Sequence, residues 1–305
     1  MKKELNTYII EGGVGKCSAF TALIPKLKEK DGQAIQVYTP YVDIFGGNPD
    51  VKMAYDSSTI PMNDPRLQAS DNFFYCEPYK SNFQFGREHL IESYCKLFNI
   101  KFDVKMRPKL FTSHLEVRAK EWLSKNKITG KYLLIQFTGG QTPINWKPTN
   151  PYDNMNPGRI YPAFLAQQLI NKIKEDDKDL TIIDCTLPNE QFYLNTIKCD
   201  EHFAVIHELL KGAISFIGID SCLNHFSAST GTVGVVIWGP TKWTQFGYSH
   251  NKNLHFHMKD KWNDDKFLES DPRNVMVDPE IVFQAYKMRK KLNKYQTKEV
   301  ACTIE

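Results

Sequence analysis

Short apolar runs alternate with amphipathic stretches along most of the chain, and this alternation is typical of α/β proteins. Near the amino end, apolar residues 8–10 predict a buried strand, residues 18–30 an amphipathic helix and residues 34–38 a second strand. Such a β-α-β unit implies a parallel sheet whose loops gather at one end. Residues 40–85 are rich in Asn, Asp, Pro and Tyr, so we predict a long irregular connection there.

A second series of the same kind begins at Lys131. From there the pattern predicts strands at 132–137, 180–184, 214–219 and 233–238, and helices at 162–174, 204–211, 222–229 and 279–294, while helices at 88–98 and 115–125 are predicted before it. The chain therefore reads as an α/β protein with two similar parallel-sheet domains. We place the first domain at 1–127, the second at 128–278, and a terminal helical segment at 279–305 that packs back on the first domain.

Composition narrows the class of protein only a little. The 305-residue chain has 41% hydrophobic and 24% charged residues, as a folded globular protein does, and a net charge of +4 that demands no polyanionic partner. No apolar run approaches the roughly 18 residues of a membrane helix, and we expect neither a spanning segment nor a cleaved secretion signal. The seven cysteines are scattered without a C-x-x-C pair, which favours a reducing, cytoplasmic compartment.

A glycine-rich turn follows the first predicted strand, where residues 11–18 read E-G-G-V-G-K-C-S. A strand, a glycine turn and a helix start together present backbone N–H groups to an anion. A P-loop needs a glycine where Ile10 stands and a Ser or Thr where Cys17 stands, and the stretch resembles the ParA-like ATPase variant except for Glu11 in place of its leading lysine. The alternative is a tight turn in which glycine permits close approach of a ligand or a helix.

A second polar cluster follows the predicted strand 214–219. Asp220 and Ser221 end that strand and begin a helix, and His225 lies one turn further on. This placement brings a carboxylate, a hydroxyl and free N–H groups to the carboxyl end of a parallel sheet, where α/β proteins bind ligands. Taken singly, Asp-Ser can cap a helix and a helical His can be a packing residue.

Together these stretches resemble glycosyltransferase family 9, the heptosyltransferase-like group. Its D-[ST]-G-x-x-H motif matches residues 220–225, which read D-S-C-L-N-H with Cys222 in place of the glycine, and a strand ending G-P-T follows at 239–241. Residues 136–140 and 158–162 match the family's phosphate turn and its [KR]-x-[WY]-P helix start. The resemblance implies the GT-B fold, in which two Rossmann-like parallel-sheet domains face a cleft, and transfer of a hexosyl or pentosyl group from a nucleotide-diphosphate sugar.

The resemblance also implies roles for particular residues. The leaving diphosphate carries negative charge that the protein must stabilise, and an arginine can grip two phosphate oxygens at once. We expect Glu208 to accept hydrogen bonds from the ribose hydroxyls of a donor, with a UDP-sugar favoured, and we expect no cofactor or metal because the one D-x-D element, residues 177–179, precedes its strand. The other expected donor-site residues are Thr138, Gly139, Gly140, Gln141, Arg159, Asp220, Ser221 and His225.

The first half departs from the family at Lys16. The family's G-x-G-D opening places there an aspartate that acts as the base, and a protonated lysine cannot accept the acceptor's proton. The candidate catalytic residues are therefore Asp43, Lys16 and Asp220, with His89 and Asp71 as weaker choices. Lys16 has the alternative of contacting an anionic acceptor or the donor diphosphate, and Asp43 of capping a turn. The glycines expected to form the acceptor-side loop are Gly12, Gly13 and Gly15.

The acceptor is predicted from a looser similarity. Residues 12–16, 45–49 and 89–95 look similar to family 9-like proteins of tailed bacteriophages, which makes a hydroxymethylated base in double-stranded phage DNA the leading acceptor, modified in the host cytoplasm. Basic residues in 287–294 would follow the DNA backbone, and aromatics in 73–79 would form a base pocket. The alternatives are transfer to lipopolysaccharide or another surface glycan, a noncatalytic GT-B binding module and, last, a ParA-type ATPase.

Overall fold

The computed structural model describes residues 5–68, 70–79, 81–139, 159–185, 193–239, 241–255 and 275–302, with side chains in the last range described through Lys290. The chain divides into two compact units, residues 1–116 and 117–305. The division falls at the start of the helix predicted for residues 115–125, whereas the sequence analysis placed it at the end of that helix. None of the described helices combines the length and apolar composition that crossing a bilayer requires.

The first unit is built from four strands and five helices within the described residues. The strands are β1 (Asn6–Ile9), β2 (Ile35–Thr39), β3 (Val51–Asp56) and β4 (Asn72–Tyr75), and the helices are α1 (Val14–Phe20), α2 (Ile24–Asp31), α3 (Pro65–Gln68), α4 (Ser81–Gln84) and α5 (Leu90–Leu97), with single 3₁₀ turns at Val42–Ile44 and Ser113–Leu115. All strand pairs are parallel, in the order β3-β2-β1-β4.

Two local features of this unit differ from the sequence prediction. The single helix expected at 18–30 is divided into α1 and α2, because Pro25 lies in the first turn of α2 and its ring cannot continue a preceding helix. The region expected to be irregular contains β3 and β4. Both are edge strands with one neighbour each, and their exposed residues lack the apolar pattern of a buried strand.

The second unit holds six strands and six helices within the described residues. The strands are β5 (Tyr132–Gln136), β6 (Thr181–Asp184), β7 (Ile197–Lys198), β8 (Ser215–Ile219), β9 (Val235–Ile237) and β10 (Lys252–Leu254), and the helices are α6 (Glu116–Lys125), α7 (Ala163–Asp176), α8 (Phe203–Gly212), α9 (Cys222–Thr230), α10 (Trp243–Phe246) and α11 (Pro279–Cys302). The predicted elements of this half are confirmed, and the short strands β7 and β10 were not anticipated.

Both sheets reverse their strand order at one point. The second sheet is parallel with the order β10-β9-β8-β5-β6-β7, so the chain builds outward from β5 in one direction and then returns to build outward from β8 in the other. This is the Rossmann-like order, and the first sheet reproduces it in part, with its reversal between β1 and β4. In such sheets ligands bind beyond the carboxyl ends of the two strands at the reversal.

The terminal helix α11 completes the core of the second unit. Val282, Ala285 and Tyr286 are buried against α7 and the sheet, and the Tyr161 hydroxyl donates a hydrogen bond to the Val277 carbonyl at 2.7 Å. The sequence analysis expected this segment to pack on the first domain, but its described side chains belong to the second unit instead. The apolar stripe of a helix shows that it packs, and only the tertiary structure shows on which surface.

Candidate functional site

The donor-side residues meet at the reversal point of the second sheet. Thr138 and Gly139 follow β5, Asp220 and Ser221 follow β8, and these two strands are hydrogen-bonded neighbours. A Cβ atom on Gly139 would lie 3.1 Å from the main-chain oxygen of Asp220, a tight contact, so glycine favours the close approach of the two strand ends. The sequence prediction that these residues share one edge of the sheet is confirmed.

Arg159 is held at this edge by main-chain and side-chain contacts. The Arg159 carbonyl accepts a hydrogen bond from the Gly139 N–H at 3.0 Å, while the guanidinium donates from Nη2 and Nε to Oδ2 of Asp220 at 2.7 and 3.1 Å. The Asp220 side chain is 2% exposed and that of Arg159 is 39% exposed. The buried carboxylate therefore anchors one edge of a guanidinium whose remainder faces solvent.

The same carboxylate oxygen has a third donor. Oγ1 of Thr241 donates a hydrogen bond to Oδ2 of Asp220 at 2.7 Å. Oδ2 of Asp220 thus accepts three hydrogen bonds, two of them from the guanidinium of Arg159. This geometry gives Asp220 the role of positioning Arg159, while its catalytic role stays a prediction.

Ser221 and Cys222 lie against Gln136 at the end of β5. The Ser221 hydroxyl donates to Oε1 of Gln136 at 2.6 Å, and the Cys222 thiol lies 3.7 Å from the same oxygen. Burial raises the pKa of the Cys222 thiol to about 11, so it stays protonated at neutral pH. Cys222, which replaces the glycine of the family motif, is thus a neutral packing group.

The two remaining described donor-site candidates are held by other partners. Nδ1 of His225, a residue 3% exposed inside α9, lies 2.9 Å from the Tyr248 hydroxyl. Glu208 lies near the end of α8, and its Oε1 is 2.5 Å from the ammonium of Lys211. Their roles in donor binding stay predictions, and the candidates Gly140 and Gln141 lie outside the described residues.

The first unit has its own polar cluster at the reversal between β1 and β4. Lys16 of α1 is buried, and its ammonium lies 2.9 Å from Oε2 of Glu77 and 4.8 Å from the centre of the Tyr79 ring. Gly12 has φ of +102°, and a Cβ there would lie 2.8 Å from Cδ of Lys16. The glycine turn therefore shapes the space that the lysine chain fills. Of the other two predicted loop glycines, Gly13 is the N-cap of α1 and Gly15 lies within that helix.

Sequence reasoning did not single out Glu77. It follows β4, its Oε1 accepts a hydrogen bond from the Tyr79 N–H at 2.9 Å, and its side chain is 34% exposed. The available signal was an acidic residue just after the aromatic run 73–75, but this run was not recognised as a strand because it lies at a sheet edge. Its proximity to Lys16 follows only once β4 is placed beside β1.

The remaining first-unit candidates lie in turns and caps. Asp43 is exposed in the 3₁₀ turn that follows β2. Asp71 precedes β4, where its carboxylate accepts a hydrogen bond from the Leu5 N–H at 2.6 Å, so it lies at the amino edge of the sheet. His89 caps α5 by accepting a hydrogen bond from the Ile91 N–H at 3.2 Å. Asp43 thus follows the carboxyl end of β2, whereas Asp71 lies at the opposite edge of the sheet.

Comparison with known proteins establishes the fold. No protein-family model matches the sequence, and no curated protein matches it. A glycosyl transferase family 9 structure from Veillonella parvula matches with a TM-score of 0.66 and 11% identity over 95% of this chain and 98% of that one. The ADP-heptose lipopolysaccharide heptosyltransferase II of E. coli matches with a TM-score of 0.64 and 13% identity over 95% and 99%.

The likeness extends to a third solved structure. E. coli heptosyltransferase WaaC with ADP matches with a TM-score of 0.58 and 10% identity over 93% of this chain and 99% of that one. At such identities the similarity is one of fold. The chain is a mixed α/β protein with two parallel sheets, and it has the GT-B fold that the sequence predicted.

Proposed function

We propose that this protein is a glycosyltransferase that moves a sugar from a nucleotide-diphosphate sugar to a hydroxyl acceptor. The observation that carries the proposal is the anchored, half-exposed guanidinium of Arg159 at the strand reversal of the second sheet. In the reaction, the bond between the anomeric carbon and the diphosphate breaks, and negative charge grows on the leaving group. A fixed cation facing that charge stabilises the transition state more than the ground state.

The surroundings of Arg159 suit a diphosphate. Nε and Nη2 contact Asp220, which leaves the Nη1 edge as the side available to phosphate oxygens. The close approach of Gly139 to Asp220 brings the turn that follows β5 beside the guanidinium, and the amino end of α9 begins at the same place. The pairing with Asp220 fixes the guanidinium before the donor binds, so less conformational entropy is lost on binding.

The candidate donors differ in their nucleotide and in their sugar. The E. coli heptosyltransferase II is named for ADP-heptose, so ADP-heptose is the first donor to test. The UDP-sugars favoured by the sequence analysis come second. Because the fold is shared by enzymes with different donors, the choice depends on residues around the base and sugar.

We propose a saccharide hydroxyl as the acceptor. One neighbour is named as acting on lipopolysaccharide, and the expected DNA track on α11 is partly neutralised. Lys287 lies 2.8 Å from Asp176, and Lys290 lies 2.9 Å from Asp177. Lysines already paired with carboxylates release fewer counterions on binding DNA and contribute less affinity. Hydroxymethylated phage DNA therefore becomes the second acceptor to test.

Two measurements test the proposal. Thermal unfolding is followed with ADP-heptose, UDP-glucose, GDP-mannose or ATP with magnesium, and we expect one nucleotide sugar to raise the melting temperature. The protein is then incubated with that donor and either truncated lipopolysaccharide or hydroxymethylated DNA, and the products are weighed by mass spectrometry.

Each outcome separates the alternatives. A gain of one sugar mass on the saccharide supports the proposal, whereas a gain on DNA alone restores the acceptor predicted from sequence. Donor binding with no transfer to either acceptor indicates a noncatalytic binding module. Stabilisation by ATP with magnesium alone overturns the proposal in favour of an ATPase.

A further inference from the structure

Glu77 is the carboxylate that the first sheet presents at its own reversal point. β1 and β4 pair in parallel with Ile9 opposite Tyr75, and the Cys76 N–H donates to the Ile9 carbonyl at 2.8 Å. Glu77 comes next, at the carboxyl edge where a ligand of such a sheet would lie. This position is equivalent to that of Asp220 in the second sheet, which also follows the strand across the reversal.

Two contacts to Lys16 and Tyr79 orient the Glu77 side chain, which is partly exposed. Oε2 lies 2.9 Å from the Lys16 ammonium, Oε1 accepts the Tyr79 N–H at 2.9 Å, and the ammonium in turn lies over the Tyr79 ring. Lys16 is 7% exposed at its side chain and Glu77 is 34% exposed. These contacts orient the carboxylate, and its side chain is partly accessible to solvent.

The other carboxylates near this edge are less suited to proton transfer. Glu11 is exposed at the surface, where it accepts a hydrogen bond from the Tyr75 hydroxyl at 2.6 Å. Asp43 is exposed in a turn beyond β2, a strand away from the reversal. Glu77, in contrast, is paired with the buried ammonium of Lys16.

We propose that Glu77 is the general base of the transfer reaction and that Lys16 is its positioning residue, an inference that rests on the proposed function. Glu77 takes the proton of the acceptor hydroxyl as that oxygen bonds to the anomeric carbon. The bond from that carbon to the diphosphate oxygen breaks, and the nucleoside diphosphate leaves with the electron pair. Lys16 replaces the acidic residue expected on α1, and the carboxylate that it holds comes from the neighbouring strand.

The substitution Glu77→Gln tests this role. Glutamine keeps the shape of the side chain and an oxygen for the Tyr79 N–H, but it cannot take the proton. We expect kcat to fall by about 10²- to 10⁴-fold with an unchanged Kd for the donor. In the wild type kcat falls at acidic pH as the base is protonated, which gives the plot of kcat against pH an acidic limb. We expect this acidic limb to be absent from the variant. The reaction uses ADP-heptose as the donor. The acceptor is whichever of truncated lipopolysaccharide and hydroxymethylated DNA gains a sugar mass when incubated with the wild-type protein.

The matched control is Glu92→Gln on α5. Glu92 is also a lysine-paired carboxylate, 3.0 Å from the Lys96 ammonium and 27% exposed, but it lies in the first turn of a helix and does not directly follow a strand. We expect its rate and pH profile to equal those of the wild type. Because Glu77→Gln leaves a buried ammonium without its counterion, Glu77→Asp is measured beside it, and it should lose at least about tenfold in kcat while folding normally.

Lys16→Met tests the positioning role. Methionine fills the same space without charge, so Glu77 remains but loses the cation that orients it. We expect a lower kcat with an unchanged Kd for the donor, a separation of the two effects that a purely structural lysine would not produce.

The results that overturn the proposal are distinct from failure of the proposed function. Full activity of Glu77→Gln or Glu77→Asp, or retention of the acidic limb in a folded Glu77→Gln, excludes Glu77 as the base while leaving the glycosyltransferase assignment intact. If the wild-type protein binds no nucleotide sugar, both the proposed base and the proposed glycosyltransferase function are excluded. Loss of transfer with intact donor binding supports the base and no other part of the scheme.

Discussion

Arg159 and Asp220 form an ion pair across the reversal point of the second sheet, with Nη2 and Oδ2 separated by 2.7 Å. The carboxylate is 2% exposed, whereas the guanidinium is half-buried. A buried charge needs a partner, so Asp220 constrains the arginine more strongly than a surface ion pair would. The pair thus fixes a cation at the place where ligands of this fold bind.

The substitution Arg159→Ala should weaken donor binding by about 10- to 100-fold, because a charge-assisted hydrogen bond is worth roughly 1.5–3 kcal/mol. It also leaves Asp220 without its main partner, so we expect a loss of about 1–2 kcal/mol in the free energy of unfolding. Calorimetric titration with the nucleotide sugar and urea unfolding measure the two effects.

The control for Arg159 is Arg118→Ala in the same unit. Arg118 is 56% exposed and pairs with Glu201 at 2.8 Å. Its loss should leave donor affinity unchanged, as expected for an exposed ion pair. Equal donor affinity in Arg159→Ala and Arg118→Ala would contradict the proposed donor site.

The glycine turn of the first unit offers a test of stability. Gly12→Ala puts a side chain at φ of +102° and 2.8 Å from Cδ of Lys16, so we expect it to lower the free energy of unfolding by about 1–3 kcal/mol. Gly13→Ala has φ of −80° and no atom within 4 Å of its Cβ among the described residues. It should lose only some tenths of a kcal/mol as a poorer helix cap. Thermal and urea unfolding compare the two, and equal losses would refute the special role of Gly12.

His207 predicts a pH dependence of stability. Burial lowers the pKa of this histidine from 6.5 to about 4, with the Lys211 charge as a smaller cause. Between these values the unfolded chain binds more protons than the folded one, so stability is fully present above pH 6.5 and is lost as pH falls towards 4. The loss from this group reaches about 3 kcal/mol.

Urea unfolding at a series of pH values checks this prediction. His207→Gln, which keeps a donor for Ser229, should flatten the profile between pH 4 and 6.5. His202→Asn, at the exposed cap of the same helix, should retain the wild-type slope because asparagine also caps a helix. An unchanged slope in folded His207→Gln would show that other groups cause the dependence.

The assignment of α11 to the second unit is tested by neighbouring positions on one helix. Phe283 belongs to the core of this unit, whereas Ile281 is 56% exposed. We expect Phe283→Ala to lower the free energy of unfolding by about 3 kcal/mol and Ile281→Ala by less than about 0.5 kcal/mol. Similar small losses in both variants would place the helix outside the core.

The sequence was sufficient for most buried elements and for the donor-side edge. Strands β5, β6, β8 and β9 read clearly because buried parallel strands are continuous apolar runs. Edge strand β4 was not recognised, because its residues are largely exposed and its three aromatic residues are consecutive, without an alternation of apolar and polar positions. The undetected strand is the one that supplies Glu77, which explains why the sequence left the base unresolved.

By itself the sequence determined the two parallel-sheet halves, the glycine turns and the Asp220-Ser221 pair that follows strand β8, since periodicity and turn chemistry are local properties. Only the tertiary structure decided that Lys16 meets Glu77 and that Arg159 meets Asp220. Each pair is separated by 61 residues. No periodic pattern relates side chains at that distance along the chain, and they come together because the reversed strand order puts the carboxyl ends of non-consecutive strands side by side.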